Sequence, residues 1–193
     1  MKRPFRTRHL AHLAMNSLIL GWLSGCIGAG DNTAIEQLEA DRFPTITGIS
    51  LLGDQVTLPD GFEGEVILVS MGFVRGHQND IDTWIAALPE IQKEASALRF
   101  YEVPVIYEAG PLFRWWLNNG MRIGVVEEAA RRRTITVYTD RDQFQDAVGL
   151  PGIEEIQTLL LDSDHRIVER WTGRLDDETR NRVVRLANEL AAR

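Results

Sequence analysis

From Phe43 onward the apolar positions switch between two periodicities. Ile46–Leu51 and Gln55–Leu58 are short β-type runs on either side of Gly53-Asp54, which predicts a hairpin. Pro59-Asp60-Gly61 is a turn signal. Val66-Ile67-Leu68-Val69 is continuous and β-branched-rich, the pattern of a strand covered on both faces. Ile81, Trp84, Ile85, Leu88, Ile91, Ala95 and Leu98 then recur at three- and four-residue steps, which predicts a helix. Asn79 or Asp80 is its natural N-cap, and Pro89 inside it predicts a bend.

The alternation continues. Phe100–Tyr107 reads as a strand, where Pro104 predicts an irregularity or an exposed edge. Pro111 fits the first position of a helix ending near Gly120, followed by a short helix over Val125–Arg132 and a strand over Thr134–Tyr138. Asp142–Val148 is a short helix stopped by Gly149. Ile156–Leu161 and Arg166–Thr172 flank Asp162-Ser163-Asp164 as a second hairpin. The last helix opens with Asp176, Asp177 and Glu178, which suit the helix dipole, and buries Val183, Leu186, Ala187 and Leu190. Strands alternating with helices predict an α/β layer structure.

The first residues follow a different rule. Lys2, Arg3, Arg6 and Arg8 precede a mostly apolar run, Leu10–Leu23, with no acid before it. A basic stretch followed by a short apolar one is the secretory-signal pattern. About 14 residues fall short of the ~20 that span a bilayer as a helix. Leu23-Ser24-Gly25-Cys26 resembles the bacterial lipobox, an aliphatic residue and two small ones before a lipidated cysteine. The expected organisation is a signal peptide over 1–25, lipidated Cys26 and a tether over 26–42, and one folded domain over 43–193. The tether has room for a short helix over Ala34–Ala40. Several acyl chains are needed for stable anchoring, because each buried CH₂ adds only about 0.8 kcal/mol. The expected location is the bacterial cell envelope, facing the periplasm. By analogy with the enterobacterial sorting rule, Ile27 after the cysteine favours the outer membrane over the inner.

Composition narrows the function classes. The chain has 21 basic and 28 acidic residues, net −7, and loss of residues 1–25 takes this to −11. That balance argues against a nucleic-acid partner, which needs a basic face. Cys26 is the only cysteine, so a disulfide, a four-cysteine zinc site and a CxxC redox pair are all excluded. No HxH or HxxxH pair accompanies His77 and His165, and no GxGxxG or Walker A loop is present, so neither a metal nor a cofactor is expected.

Phe43-Pro44, a hairpin, Leu58-Pro59, Gly64 and Val66–Ser70 together resemble the opening of extracytoplasmic thioredoxin-like and peroxiredoxin-like domains. Leu159–Leu161, Asp162-Ser163-Asp164, Arg166-Ile167 and Gly173 resemble their ending. The resemblance spans about Phe43–Leu190. It implies a thioredoxin-like three-layer sandwich with an N-terminal β-hairpin extension. A closer resemblance is to the mitochondrial F-type ATP synthase assembly-factor family, through Ile67–Met71, the cysteine-free loop Arg75–Asp80, Trp84, and Asp162 with Trp171-Thr172-Gly173. That family acts on the matrix side of a membrane, whereas the lipobox puts this chain outside the cytoplasm. In the thioredoxin register the two cysteine positions fall on about Gly76 and Asn79, and the cis-proline position on about Ile156. Thiol–disulfide exchange needs an attacking sulfur, so the domain is expected to be redox-inert.

Two candidate sites remain. Arg75, His77, Gln78, Asn79 and Asp80 occupy the place of the reactive loop. They read either as a binding loop at a helix N-terminus or as a solvated turn. Trp115 and Trp116 sit about 100° apart on a helix and read either as one in the core and the other exposed as an interface anchor, or as both packed in the core or snorkelled. Arg131-Arg132-Arg133 reads as a solvated helix end, in a chain with 19 Arg and 2 Lys. The expected function is a membrane-anchored, redox-inactive binding module: a chaperone, scaffold or assembly factor for an envelope complex. The competing reading is a cysteine-independent enzyme, peroxidase-like or hydrolytic, using the Arg75–Asp80 loop. A Cys26→Ala chain should leave the membrane fraction on flotation; unchanged partitioning would remove the anchor.

Overall fold

The computed structural model describes residues 42–193. The signal segment, Cys26 and the expected helix over Ala34–Ala40 lie outside the described residues. Among the described residues one sheet holds seven strands: β1 (Ile46–Ser50), β2 (Gln55–Leu58), β3 (Val66–Gly72), β4 (Leu98–Ile106), β5 (Ile135–Tyr138), β6 (Gln157–Leu161) and β7 (Ile167–Thr172). Their spatial order is β2-β1-β5-β4-β3-β6-β7. β3, β4 and β5 run parallel; β6, β7 and the β1–β2 hairpin are antiparallel to their neighbours. Helices α1 (Gln78–Glu94), α2 (Pro111–Gly124), α3 (Glu128–Arg133) and α4 (Arg141–Val148) lie between strands, and α5 (Asp177–Ala191) follows the last one.

All seven residues of β3 are buried, as its unbroken apolar run requires of a central strand. Alternate side chains feed two cores. Ile67, Val69 and Met71 join Tyr101, Val103 and Phe144 of α4 on one face. Val66 and Leu68 join Trp84 of α1 and Val183 of α5 on the other. Helices therefore cover the sheet from both sides, the three-layer arrangement expected from the sequence.

Trp84 links α1 to the closing hairpin. Its indole is fully buried, lies 6.1 Å from the ring of Trp171, and donates from Nε1 to the Gly173 carbonyl at 3.0 Å. Gly173 has φ +80, so only a residue without Cβ aims that carbonyl inward without strain. Thr83 continues the seam. Its hydroxyl donates to the Asp80 carbonyl at 2.6 Å and accepts the Leu175 N–H at 3.0 Å.

Pro104 gives the irregularity and not the exposed edge: β4 lies inside the sheet, Pro104 faces Gly72 of β3, and the ladder to β5 has a gap between the Glu102–Thr134 bridge and the Val105–Val137 pair. Two expectations need correction. Asn79 and Asp80 do not cap α1. A 3₁₀ turn over Arg75–His77 feeds straight into the helix, so both lie inside its first turn. α2 also runs past Gly120 to Gly124, since one glycine costs a helix only about 1 kcal/mol.

Replacing Trp84 by Phe removes the donor to Gly173 and leaves a small void. Urea unfolding should show a loss of about 2–3 kcal/mol; a loss no larger than that of a surface substitution would show that the indole seam is dispensable.

Candidate functional site

β3 ends at Gly72 and α1 begins at Gln78. The five residues between them cross the carboxyl end of the parallel strands, where sites in open α/β sheets form. The crossing is held from both sides. Phe73 N–H donates to Nδ1 of His77 at 3.1 Å, and Phe73 C=O accepts from Arg141 Nη1 at 3.0 Å. Nε2 of His77 lies 3.0 Å from the Glu154 carbonyl. Because Nδ1 accepts, the ring proton belongs on Nε2, which donates to Glu154. His77 is buried, with its ring edge-on to Phe73. It thus ties the end of β3 to the loop before β6.

The structure divides the predicted loop. His77 is turned inward and both of its nitrogens are committed to backbone. Arg75, Gln78 and Asn79 are exposed. Gln78 donates to Asp82 at 3.0 Å, and Asp80 pairs with Arg174 at 3.5 Å. Arg75, His77 and Asp80 therefore do not converge on a shared point. Gly76 and Asn79, at the expected cysteine positions, are both exposed, and a Cβ on Gly76 would meet nothing within 4 Å. Ile156, at the expected cis-proline position, is buried, and its carbonyl accepts the Gly173 N–H. The cis peptide bond among the described residues is Leu58–Pro59, after β2. His165 lies in the β6–β7 turn, beyond the Leu161–Ile67 pair, while His77 follows Gly72 at the opposite end of β3. The two imidazoles thus stand at opposite ends of the sheet. Among the described residues no group of three His, Cys, Asp or Glu is placed to hold a metal.

One residue that sequence reasoning passed over stands beneath this loop. Glu102 on β4 is the register partner of Ser70 on β3, and Ser70 partners Thr158 on β6. Register partners share a sheet face, here the face toward α1. Ser70 and Thr158 bond to each other at 2.9 Å, and all three side chains are buried. Burial pushes the Glu102 carboxyl up to about 7; the charge of Asp82 adds to the rise, and a hydrogen bond from Gln78 opposes it. The available signal was an acid at an inward position of an otherwise apolar strand, two residues after Phe100.

The tryptophan pair also needs correction. Both indoles are outside the core, each 64% exposed, rather than one in and one out. α2 has no buried residue. Its inner side is Arg114, Leu117, Asn118 and Met121, so an apolar arc wide enough for both tryptophans faces outward. The ring of Phe113 lies 6.0 Å from that of Trp116 and 6.1 Å from that of Tyr107.

No protein-family model matches the chain, and no curated protein does. Solved structures do. A candidate electron transfer protein from Aquifex aeolicus VF5 aligns at TM-score 0.54 and 15% identity, over 77% of this chain and 97% of that one. A candidate electron transport protein from the same organism aligns at 0.55 and 14%, over 78% and 98%. A candidate protein disulfide isomerase from Bacteroides thetaiotaomicron aligns at 0.52 and 17%, over 80% and 90%. At these identities the likeness establishes the fold, which is thioredoxin-like.

Glu102 favours its protonated form in the folded chain, so its contribution to stability is complete below about pH 4.5 and is lost as pH rises through 7. A Glu102→Gln chain should match the wild type near pH 4. By pH 8.5 it should exceed it by up to about 3 kcal/mol, read as thermal midpoint against pH. A difference independent of pH would place the carboxyl in water.

Proposed function

We propose that this chain is a membrane-anchored, redox-inactive thioredoxin-like binding module that serves a protein complex of the bacterial cell envelope as a chaperone, scaffold or assembly factor. The observation that carries the reading is the filling of the reactive position. The chain's one cysteine, Cys26, precedes the domain, so the described residues hold no thiol. The segment where a thioredoxin keeps its nucleophile is closed by a histidine whose two nitrogens bond to Phe73 and Glu154. A domain fixed in this way presents a shaped surface, not an attacking group. The lipobox at Leu23–Cys26 supports attachment to a membrane through Cys26, and Ile27 favours the outer one. No helix among the described residues is long and apolar enough to cross a membrane. The resemblance to ATP synthase assembly factors supports work on a membrane complex, with a different partner on the other side of the membrane.

A cysteine-independent enzyme finds less support. A catalytic constellation needs at least two groups converging on one reacting atom. Here Asp80 is engaged by Arg174 and His77 by backbone. A groove of about 540 Å³ lies elsewhere, among β1, Gln55 of β2, Thr136 and Tyr138 of β5, Glu108 and Arg114.

The purified chain should neither reduce insulin nor consume peroxide when given a thiol donor; turnover above the buffer rate would refute redox inertness. In-cell photocrosslinking with mass spectrometry should recover envelope proteins, and recovery of cytoplasmic ones alone would refute the location.

A further inference from the structure

The face of α2 that looks outward is more apolar than the face that looks inward. Leu112 is 79% exposed and Ile123 82%, in line with the tryptophan pair. The polar residues hold the helix to the body. Arg114 Nε donates to the Ala109 carbonyl at 2.6 Å, and its guanidinium lies 4.7 Å above the Tyr138 ring. The Tyr138 hydroxyl donates to Asn118 at 2.9 Å. Arg131 closes the far end with bonds to the carbonyls of Val125 and Arg122 at 2.6 and 3.0 Å. A surface helix ordinarily turns its apolar stripe to the core. This one is bolted down by its polar side and leaves the stripe to another medium.

We propose that this medium is the headgroup layer of an anionic phospholipid bilayer, with α2 lying in the plane of the surface. Charge selects it. The chain has 28 acidic residues, yet none between Ala109 and Val126, where the only charges are Arg114 and Arg122. Arg114 is spent on Ala109 and Tyr138, which leaves Arg122 as the cation of α2 beside the acid-free apolar arc, and that pairing suits an anionic interface. Tryptophan suits the same layer, because its ring is apolar and its N–H still finds water. A second copy is a poor occupant. A two-fold contact through α2 would set arginine-bearing, acid-free helices against each other with no carboxylate between them.

This inference takes its compartment from the anchored reading above and adds a second contact with the membrane. Residues 27–41 separate Cys26 from the described chain, a reach of up to about 50 Å when extended. A lipid at Cys26 would keep α2 close to one bilayer and raise its effective concentration there.

The test uses the full lipidated chain, in which Cys26 is consumed by its lipid and a new cysteine takes a polarity-sensitive fluorophore. The label goes at Ile123→Cys on α2 or, as control, at the exposed Glu189→Cys on α5. With vesicles of phosphatidylglycerol and phosphatidylethanolamine, the Ile123 label should shift to the blue and be quenched by brominated lipid, while the Glu189 label stays in water. Trp115→Ser with Trp116→Ser should abolish the shift; both side chains are exposed, so the fold should tolerate the change. A label at Ile123 that stays in water on a chain that floats with the vesicles would overturn the docking and leave the anchor standing. A chain that does not float would refute the anchor, and docking would then stand only if the label still shifts at high lipid. An equal shift on phosphatidylcholine would overturn the anionic assignment. A shift that grows with protein concentration without vesicles would overturn the proposal in favour of a second copy.

Discussion

The imidazole of His77 is the constraint on which the carboxyl end of the sheet depends. One nitrogen receives the first N–H after β3 and the other reaches the loop that leads into β6. Without it, the buried Phe73 N–H would lack a partner, at a cost of about 1–3 kcal/mol. Arg141 completes the hold by taking the carbonyl of the same Phe73. The strand end, the helix start and the loop before β6 are the three pieces from which a thioredoxin active site is assembled. Here the His77 ring joins them, with both of its nitrogens bonded to backbone.

Under that loop the sheet is polar where its neighbours are apolar. Ser70 and Thr158 satisfy each other, but Glu102 has only Gln78 to favour its charge and Asp82 to oppose it. A carboxyl kept there is costly to stability at neutral pH, in a domain whose other central positions are aliphatic. The same economy is absent from α2, which spends its arginines on attachment and leaves its tryptophans in the open. These two places depart from the rule that polar groups face water and apolar ones the core.

Much of the architecture was readable from periodicity and turn chemistry. The continuous run Val66–Val69 declared a central strand, and Gly53-Asp54 and Asp162–Asp164 declared hairpins that the structure contains. Gly149 stops α4 with φ +68, as its position implied. The site was less legible. Asn79 and Asp80 are good caps by residue type, yet the start of α1 is decided by His77, whose partner Glu154 lies 77 residues away. Glu102 looked like one polar letter in a strand, because its burial follows from pairing with Ser70 and from the cover of α1. The tryptophans misled for a related reason. Helical spacing separates two faces but does not say which is inside, and in α2 the inner one is held by arginine and asparagine.

Burial pushes the Glu102 carboxyl up to about 7, so its protonated and ionised forms are both open to the folded domain near neutrality. A partner that brings a cation over Gln78 and Asp82 selects the ionised species and releases the proton. One that brings an anion selects the other and takes a proton up. Binding on the far side of the sheet does neither. The heat exchanged with buffers of different ionisation enthalpy therefore carries the address of the contact.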